Sequence, residues 1–325
     1  MLTTIPYLVI CTLVTARRLE FYKYIDNPWV ELETPRCDNR LLCPSLNYIW
    51  DSYFDTLLSS CLNRFVLGGY MVEDSHIVKD LPELGDSWDD KSFARLKEKG
   101  SRPGRGLYWH PWSYLTVWAF MERYPVDGFI CHSHHRDAAL LRQVVFALKK
   151  LNVTVGLSLL FTTAEYMRDL GLVNITDINF LYLLPQSNDQ VALFNTDDFA
   201  GNALMNYTLV GGKPESVVLS IMPYAAYAYP ALGKAYSEIV YTLHGDPKGS
   251  GSVVYEKSPG EYRTYYFFSQ PRAIEKITLA KIYSLRGLMV SYFDTYRDLF
   301  PWDPSSLYYT VASNIGLTCT DPTET

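Results

Sequence analysis

Val126-Asp127-Gly128-Phe129-Ile130-Cys131-His132-Ser133-His134, continuing into His135-Arg136-Asp137, is the segment that identifies the architecture. An amphipathic helical pattern over residues 113–124 precedes it, and a second over 138–150 follows it. A short apolar run between two helical patterns predicts a buried parallel strand in an α/β domain. Side chains alternate along a strand, so Ile130, His132 and His134 share one face.

Seven further runs of the same kind flank this one. They cover residues 40–48, 64–72, 106–112, 153–161, 178–184, 217–224 and 287–293. Pro44 weakens the first of them. Helical patterns at 48–60, 90–99 and 271–285 fall between the strands. Eight short apolar strands, mostly separated by helices, predict an α/β fold of the (β/α)8 or TIM-barrel type. The predicted barrel spans residues 40–315, between an N-terminal extension at 17–39 and a tail at 316–325. A short insertion, about 227–262, lies between strand 7 and its helix. It contains the turn-rich Gly245-Asp246-Pro247-Lys248-Gly249-Ser250-Gly251.

Residues 1–16 have the form of a secretory leader. Ile5 to Val14 is its apolar stretch, and Val14-Thr15-Ala16 fits a small-residue cleavage site. The stretch is too short to span a bilayer, and no longer apolar run follows, so a secreted, extracellular protein without a membrane span is expected. Sequons at Asn152, Asn174 and Asn206 agree with that route and predict a glycoprotein. Removal of the leader leaves Cys37, Cys43, Cys61, Cys131 and Cys319, an odd number. The net charge of −6 over 325 residues argues against a nucleic-acid partner. The 26 tyrosines fit either ordinary packing or stacking on sugar rings.

The Asp127–His134 phrase resembles the fourth strand of glycoside hydrolase family 18, the chitinases and chitinase-like lectins. There the strand reads D-G-[FIL]-D-[FIL]-D-W-E. Its closing Glu is the general acid, and the carboxylate two residues earlier orients the substrate's acetamido group. Asp127-Gly128 match the opening pair. Ile130 and His132 stand at the second and third Asp, and His134 at the Glu. Residues 178–181 are similar to the family's sixth strand, 216–226 to its seventh and 287–294 to its eighth. Residues 262–269, with the helix from 271, are similar to its short returning strand and helix. The resemblance implies a Cys43–Cys61 disulfide near the first two strands. Cys37 and Cys319 lie near the two ends of the barrel and could pair, which would make Cys131 a buried free thiol. It also implies that the insertion forms one wall of a sugar cleft, here reduced.

Glycoside hydrolysis needs a carboxylic acid to protonate the leaving oxygen. In family 18 the acetamido group of the substrate is the nucleophile, so one acid and one orienting carboxylate suffice. Neither is present at the matching positions. An imidazolium there would oppose the positive charge developing on the sugar. Other family positions have changed too. Leu183 and Leu184 replace a Tyr and an Asp, Ala226 an Arg, and Ser291 the Trp beneath the distorted sugar, whereas Tyr224 and Asp294 match. The resemblance therefore implies a pseudoenzyme, with no catalytic residue and no cofactor. It would bind carbohydrate of the chitin or N-acetylglucosamine type, or an extracellular protein partner.

Two alternatives remain. His132 and His134, at i and i+2 on one face, could hold a metal with His110, and Asp294 could complete the set of a relocated hydrolase. The other reading of these histidines is space-filling at the top of a barrel. A scaffold glycoprotein with a closed barrel mouth is the second alternative. No nucleophile elbow or phosphate loop is present. Cys131 points away from His132, which removes a Cys–His pair. Trp109, Trp112, Tyr114 and Tyr224 lie at or just after C-terminal strand ends, where barrel sites form, and are the candidate sugar-stacking residues alongside Asp294.

Overall fold

A computed structural model of the chain describes residues 19–25, 64–67, 70–73, 76–79, 106–109, 121, 126–132, 138–230, 233–290, 298 and 303–317. Strands are numbered in chain order. β1 (Glu20–Ile25), β2 (Arg64–Leu67), β5 (Gly106–Trp109), β6 (Gly128–His132), β7 (Thr154–Leu159), β8 (Ile178–Tyr182), β9 (Val217–Ile221) and β14 (Gly287–Val290) close into one barrel. Every neighbouring pair is parallel, and β1 completes the circle between β14 and β2. The expected α/β barrel is therefore present.

The first strand corrects the sequence reading. It is Glu20–Ile25, inside the segment taken as an N-terminal extension, and not the run at 40–48, which lies outside the described residues. β1 alternates Glu20 and Tyr22 on one face with Phe21 and Lys23 on the other, so neither face reads as an apolar stripe. The run predicted at 64–72 is also divided. β2 ends at Leu67, and β3 (Tyr70–Glu73) turns back on β4 (His76–Lys79) as a separate hairpin.

Packing across the barrel shows which side chains point inward. Tyr22 and Phe180 lie on strands that are not neighbours, yet their rings meet edge to face at 5.3 Å. A Cβ on Gly156 would lie 2.9 Å from Ile130 Cγ1 and 3.3 Å from the Phe180 ring. Ile130, Tyr22 and Phe180 thus fill the interior as a packed core. Gly128 has a backbone reason for being glycine, because a Cβ there would lie 2.3 Å from the Thr154 carbonyl oxygen on β7.

The described helices that flank the strands are α1 (Ala138–Lys150), α2 (Ala164–Leu170), α3 (Asp197–Leu209), α5 (Gln270–Ile282) and α6 (Leu307–Asn314). Their starts follow local chemistry. Thr163, Thr196 and Ser306 accept N–H hydrogen bonds from Tyr166, Phe199 and Tyr309, satisfying amides that a helix start leaves open. Gly171 ends α2 in the left-handed conformation at φ 64°. Lys276 of α5 is fully buried and ion-paired with Asp197 in the first turn of α3. None of the helices among the described residues is long and apolar enough to cross a membrane.

Between β9 and α5 the chain leaves the barrel. β10 (Tyr224–Ala226), β11 (Lys234–Ala235), β12 (Ser252–Ser258) and β13 (Glu261–Phe267) form an antiparallel sheet in the order β11-β10-β13-β12. A short helix, α4 (Tyr236–Tyr241), follows β11. The turn-rich 245–251 segment precedes β12 as a loop. Asn195 anchors it from the α3 side, donating to the carbonyls of Gly251 (3.1 Å) and Phe267 (2.7 Å).

Candidate functional site

Barrel sites form where the strands end at their C-termini. Several described side chains at that end are apolar. Ile130 is buried in the interior behind Gly156. Leu183 and Ala226 are wholly buried and Leu184 is half-buried. Met222 follows β9 and is also buried, and its sulfur accepts from the Ser220 hydroxyl at 3.5 Å. An isoleucine, two leucines and an alanine cannot donate a proton, carry a charge or orient an amide. Among the described residues, no three His, Cys, Asp or Glu side chains converge as a metal site.

The loops around this end are tied to one another. Gln186, after β8, donates its amide to the Thr162 hydroxyl (3.2 Å) and the Leu160 carbonyl (3.5 Å) beyond β7. Gln190 accepts from the Gln186 backbone at 2.9 Å. Asn188 accepts from the Tyr229 N–H at 2.8 Å, joining the β8 loop to the segment after β10.

The residues expected here are placed as follows. Tyr224 opens β10 and is 8% exposed, with its ring centroid 6.2 Å from that of Phe194, which packs in turn on Phe268. Burial of that degree leaves little of the Tyr224 ring for stacking a sugar. Trp109 ends β5 and pairs in register with Phe129, and His132 ends β6 in register with Ser158. The side chains of both, together with His110, Trp112, Tyr114, His134 and Asp294, lie outside the described residues. So do Cys37, Cys43, Cys61 and Cys319, and with them the proposed disulfides. Cys131 is a buried free thiol, and burial pushes its pKa up to about 12. A thiol that stays protonated at neutral pH is no nucleophile.

Three residues that sequence reasoning missed form a cluster on the antiparallel sheet. The Tyr227 ring carries the Arg263 guanidinium 4.7 Å from its centroid and meets the Tyr265 ring edge-on at 5.3 Å. The alternation Tyr-Arg-Thr-Tyr-Tyr-Phe within β13 was the available signal, since it places Arg263 and Tyr265 on one face.

The opposite end of the barrel is polar. Glu20, at the start of β1, accepts from Arg286 Nε at 2.8 Å, from Arg64 at 3.3 Å and from the Tyr22 hydroxyl. Burial alone would raise the Glu20 carboxyl. Hydrogen bonding from Tyr22 and the two guanidinium charges outweigh it and hold the pKa below the usual carboxylate range. Asn179 of β8 also serves the fold. Its amide donates to the Val173 carbonyl at 3.2 Å and its oxygen accepts from Thr176 at 2.9 Å. Asn152 and Asn174 lie in the turns leading into β7 and β8, also at this end.

No family model matches the sequence, and no curated protein does either. Solved structures do match. The Group IV chitinase of Ostrinia furnacalis is 14% identical, covers 91% of this chain and 99% of its own, and superposes with a TM-score of 0.60. A chitinase from Bacteroides thetaiotaomicron is 13% identical over 92% of this chain and 96% of its own, with a TM-score of 0.59. Human YKL-39, described as a pseudo-chitinase with retained chitooligosaccharide binding properties, is 13% identical over 92% of this chain and 100% of its own, at 0.61. The fold over nine-tenths of this chain is therefore that of the family 18 chitinases and their chitinase-like counterparts.

Proposed function

We propose that this chain is a divergent, non-catalytic relative of glycoside hydrolase family 18. It is secreted and binds either a chitin-type carbohydrate or an extracellular protein. One observation supports the loss of catalysis most directly. The described positions that match the family's substrate-handling groups, Ile130, Leu183, Leu184 and Ala226, are all apolar and all at least half-buried. A buried isoleucine in place of one carboxylate could be a single drift. Leucines in place of the sixth-strand Tyr and Asp remove two further polar groups at the same end. The similarity of the fold to both chitinases and a pseudo-chitinase is consistent with this reading.

Binding without turnover is the function this geometry leaves. The antiparallel sheet after β9 is read as the reduced wall of a sugar cleft, in support of a binding role. Titration of the purified protein with N-acetylglucosamine oligomers, with hydrolysis products assayed in the same samples, tests the proposal. Saturable binding without cleavage is the expected result for a lectin-like protein. Cleavage would overturn the non-catalytic reading and redirect attention to Asp294 and the histidines. Neither binding nor cleavage would exclude the sugar and leave the protein-partner form of the proposal.

A further inference from the structure

The three sequons share one sequence pattern and occupy three different environments. Asn152 lies in the turn between α1 and β7, is exposed, and has a left-handed backbone at φ 56°, a conformation asparagine tolerates better than most residues. Asn174 is exposed in the turn between α2 and β8. Neither side chain has a role in the core, although the Thr176 of the second sequon is buried and bonded to the Leu172 carbonyl at 3.1 Å. Asn206 differs on each point. It sits within the helix α3, is half-buried, and donates its Nδ2 to the Thr162 carbonyl at 3.0 Å. Its neighbour Tyr207 is wholly buried, with its hydroxyl bonded to Val173 and Ser216.

The two exposed turns are also adjacent. Lys149, at the end of α1, pairs with Asp177 at 2.6 Å, and the other Asp177 oxygen accepts from the Val155 N–H at 2.8 Å. This bridge joins the turn bearing Asn152 to the turn bearing Asn174. Both turns precede parallel barrel strands, so both lie at the N-terminal end of the barrel, opposite the end where sites form.

We infer that N-linked glycans are carried by Asn152 and Asn174, side by side on the base of the barrel, and that Asn206 is left unmodified. The inference rests on the secretory route proposed above. A glycan is attached through Nδ2 and is bulky, so it needs an asparagine whose amide projects into solvent. At Asn206 the same nitrogen holds the loop after β7. A chain glycosylated there before folding would carry a sugar where Nδ2 packs against the loop after β7 and would open the α3 packing, and such molecules would not reach the medium in quantity. Because it borders a strand in the sequence, Asn152 looks the least suitable of the three. The structure reverses that order, because the strand begins two residues later and the asparagine itself caps an exposed turn.

The test is to express the full chain in a eukaryotic secretory cell and collect the secreted protein. Treatment with peptide N-glycosidase converts each formerly glycosylated asparagine to aspartate, which peptide mass spectrometry assigns by position. Conversion at 152 and 174 and an intact Asn206 is the expected result. Asn174→Gln and Thr154→Val should each remove one step of gel mobility, and Asn206→Gln none. Thr154→Val is preferred at the first sequon because it leaves the left-handed Asn152 in place. Conversion at Asn206, or secreted protein unmodified at 152 or 174, would overturn the inference. If the chain is not secreted, the secretory reading fails. The sequons are then tested behind the leader of an unrelated secreted protein, and the same positions decide.

Discussion

The two ends of this barrel are built from opposite materials. At the base, Glu20, Arg64, Arg286 and Tyr22 form a partly buried network of charge-assisted hydrogen bonds, and Arg286 reaches on to the Asp177 carbonyl at 3.4 Å. At the other end, the described positions where a hydrolase would keep its charged groups hold Ile130, Leu183, Leu184 and Ala226. In an active enzyme of this architecture the site end should be the more polar and the more costly to maintain. Among the described residues, the base carries the charged network, at the end that reads as stability rather than chemistry.

The strongest way to break this contrast is at Glu20. Glu20→Gln should cost about 3 kcal/mol, because it leaves Arg286 and Arg64 without their counter-charge in a largely buried place. The midpoint of urea denaturation measures it. The same carboxylate sets an acid limit. Its pKa is lowered in the folded chain, so its contribution is fully present above the unfolded value, near pH 4.5, and is lost as pH falls through the folded one. The stability gap between the native protein and Glu20→Gln should therefore narrow as the pH is taken below about 4.5. A gap that stays constant to pH 2 would remove the base network as the cause.

A smaller effect is expected inside the wall. Gly128→Ala drives a methyl into the Thr154 carbonyl and should cost about 2 kcal/mol through strand displacement. A neutral result would show that β6 and β7 separate easily, and that the match of Asp127-Gly128 to the family motif has no packing basis. Ser306→Ala, which removes the hydroxyl capping α6, should cost about 1 kcal/mol in thermal or chemical denaturation. Ser220→Ala, toward the site end, should be the mildest of the set, within about 0.5 kcal/mol, because its hydroxyl meets only the Met222 sulfur at 3.5 Å. A loss there as large as that of Glu20→Gln would erase the distinction between the two ends.

Seven barrel strands were legible as apolar runs, and on β7, β8, β9 and β14 nearly every described side chain is buried and most are apolar. β1 escaped because its faces are mixed. Glu20 joins the base network on one side, and Lys23 is buried on the other, with its ammonium 4.3 Å from the Tyr308 ring. A glutamate and a lysine four and seven residues from an expected leader look like an exposed extension until their partners Arg286 and Tyr308, more than 260 residues away, are known. The antiparallel sheet was half legible. Its return strand was seen in 262–269, while β12, Ser-Val-Val-Tyr-Glu-Lys-Ser, is an exposed edge with too few apolar residues to stand out. The candidate site was less legible, since the positions that resemble the motif hold no carboxylate whose chemistry could be recognised. The Tyr227–Arg263–Tyr265 cluster was not legible because its members are joined only by the fold.

The position of β1 between β2 and β14 has a consequence for how the protein comes into being. During synthesis β1 emerges early, and its second neighbour, Gly287–Val290, emerges more than 260 residues later. Until β14 is made, one side of β1 is an unsatisfied edge, with its backbone amides and carbonyls open to any other strand. Lys23 and Phe21 wait even longer for Tyr308, which gives them their cover. The nascent chain can assemble its helices and central strands as they appear, but the ring itself closes only once β14 has been made. Long-range closure of this kind is slow and exposes the unfinished protein to aggregation, which is where folding assistance would have its largest effect.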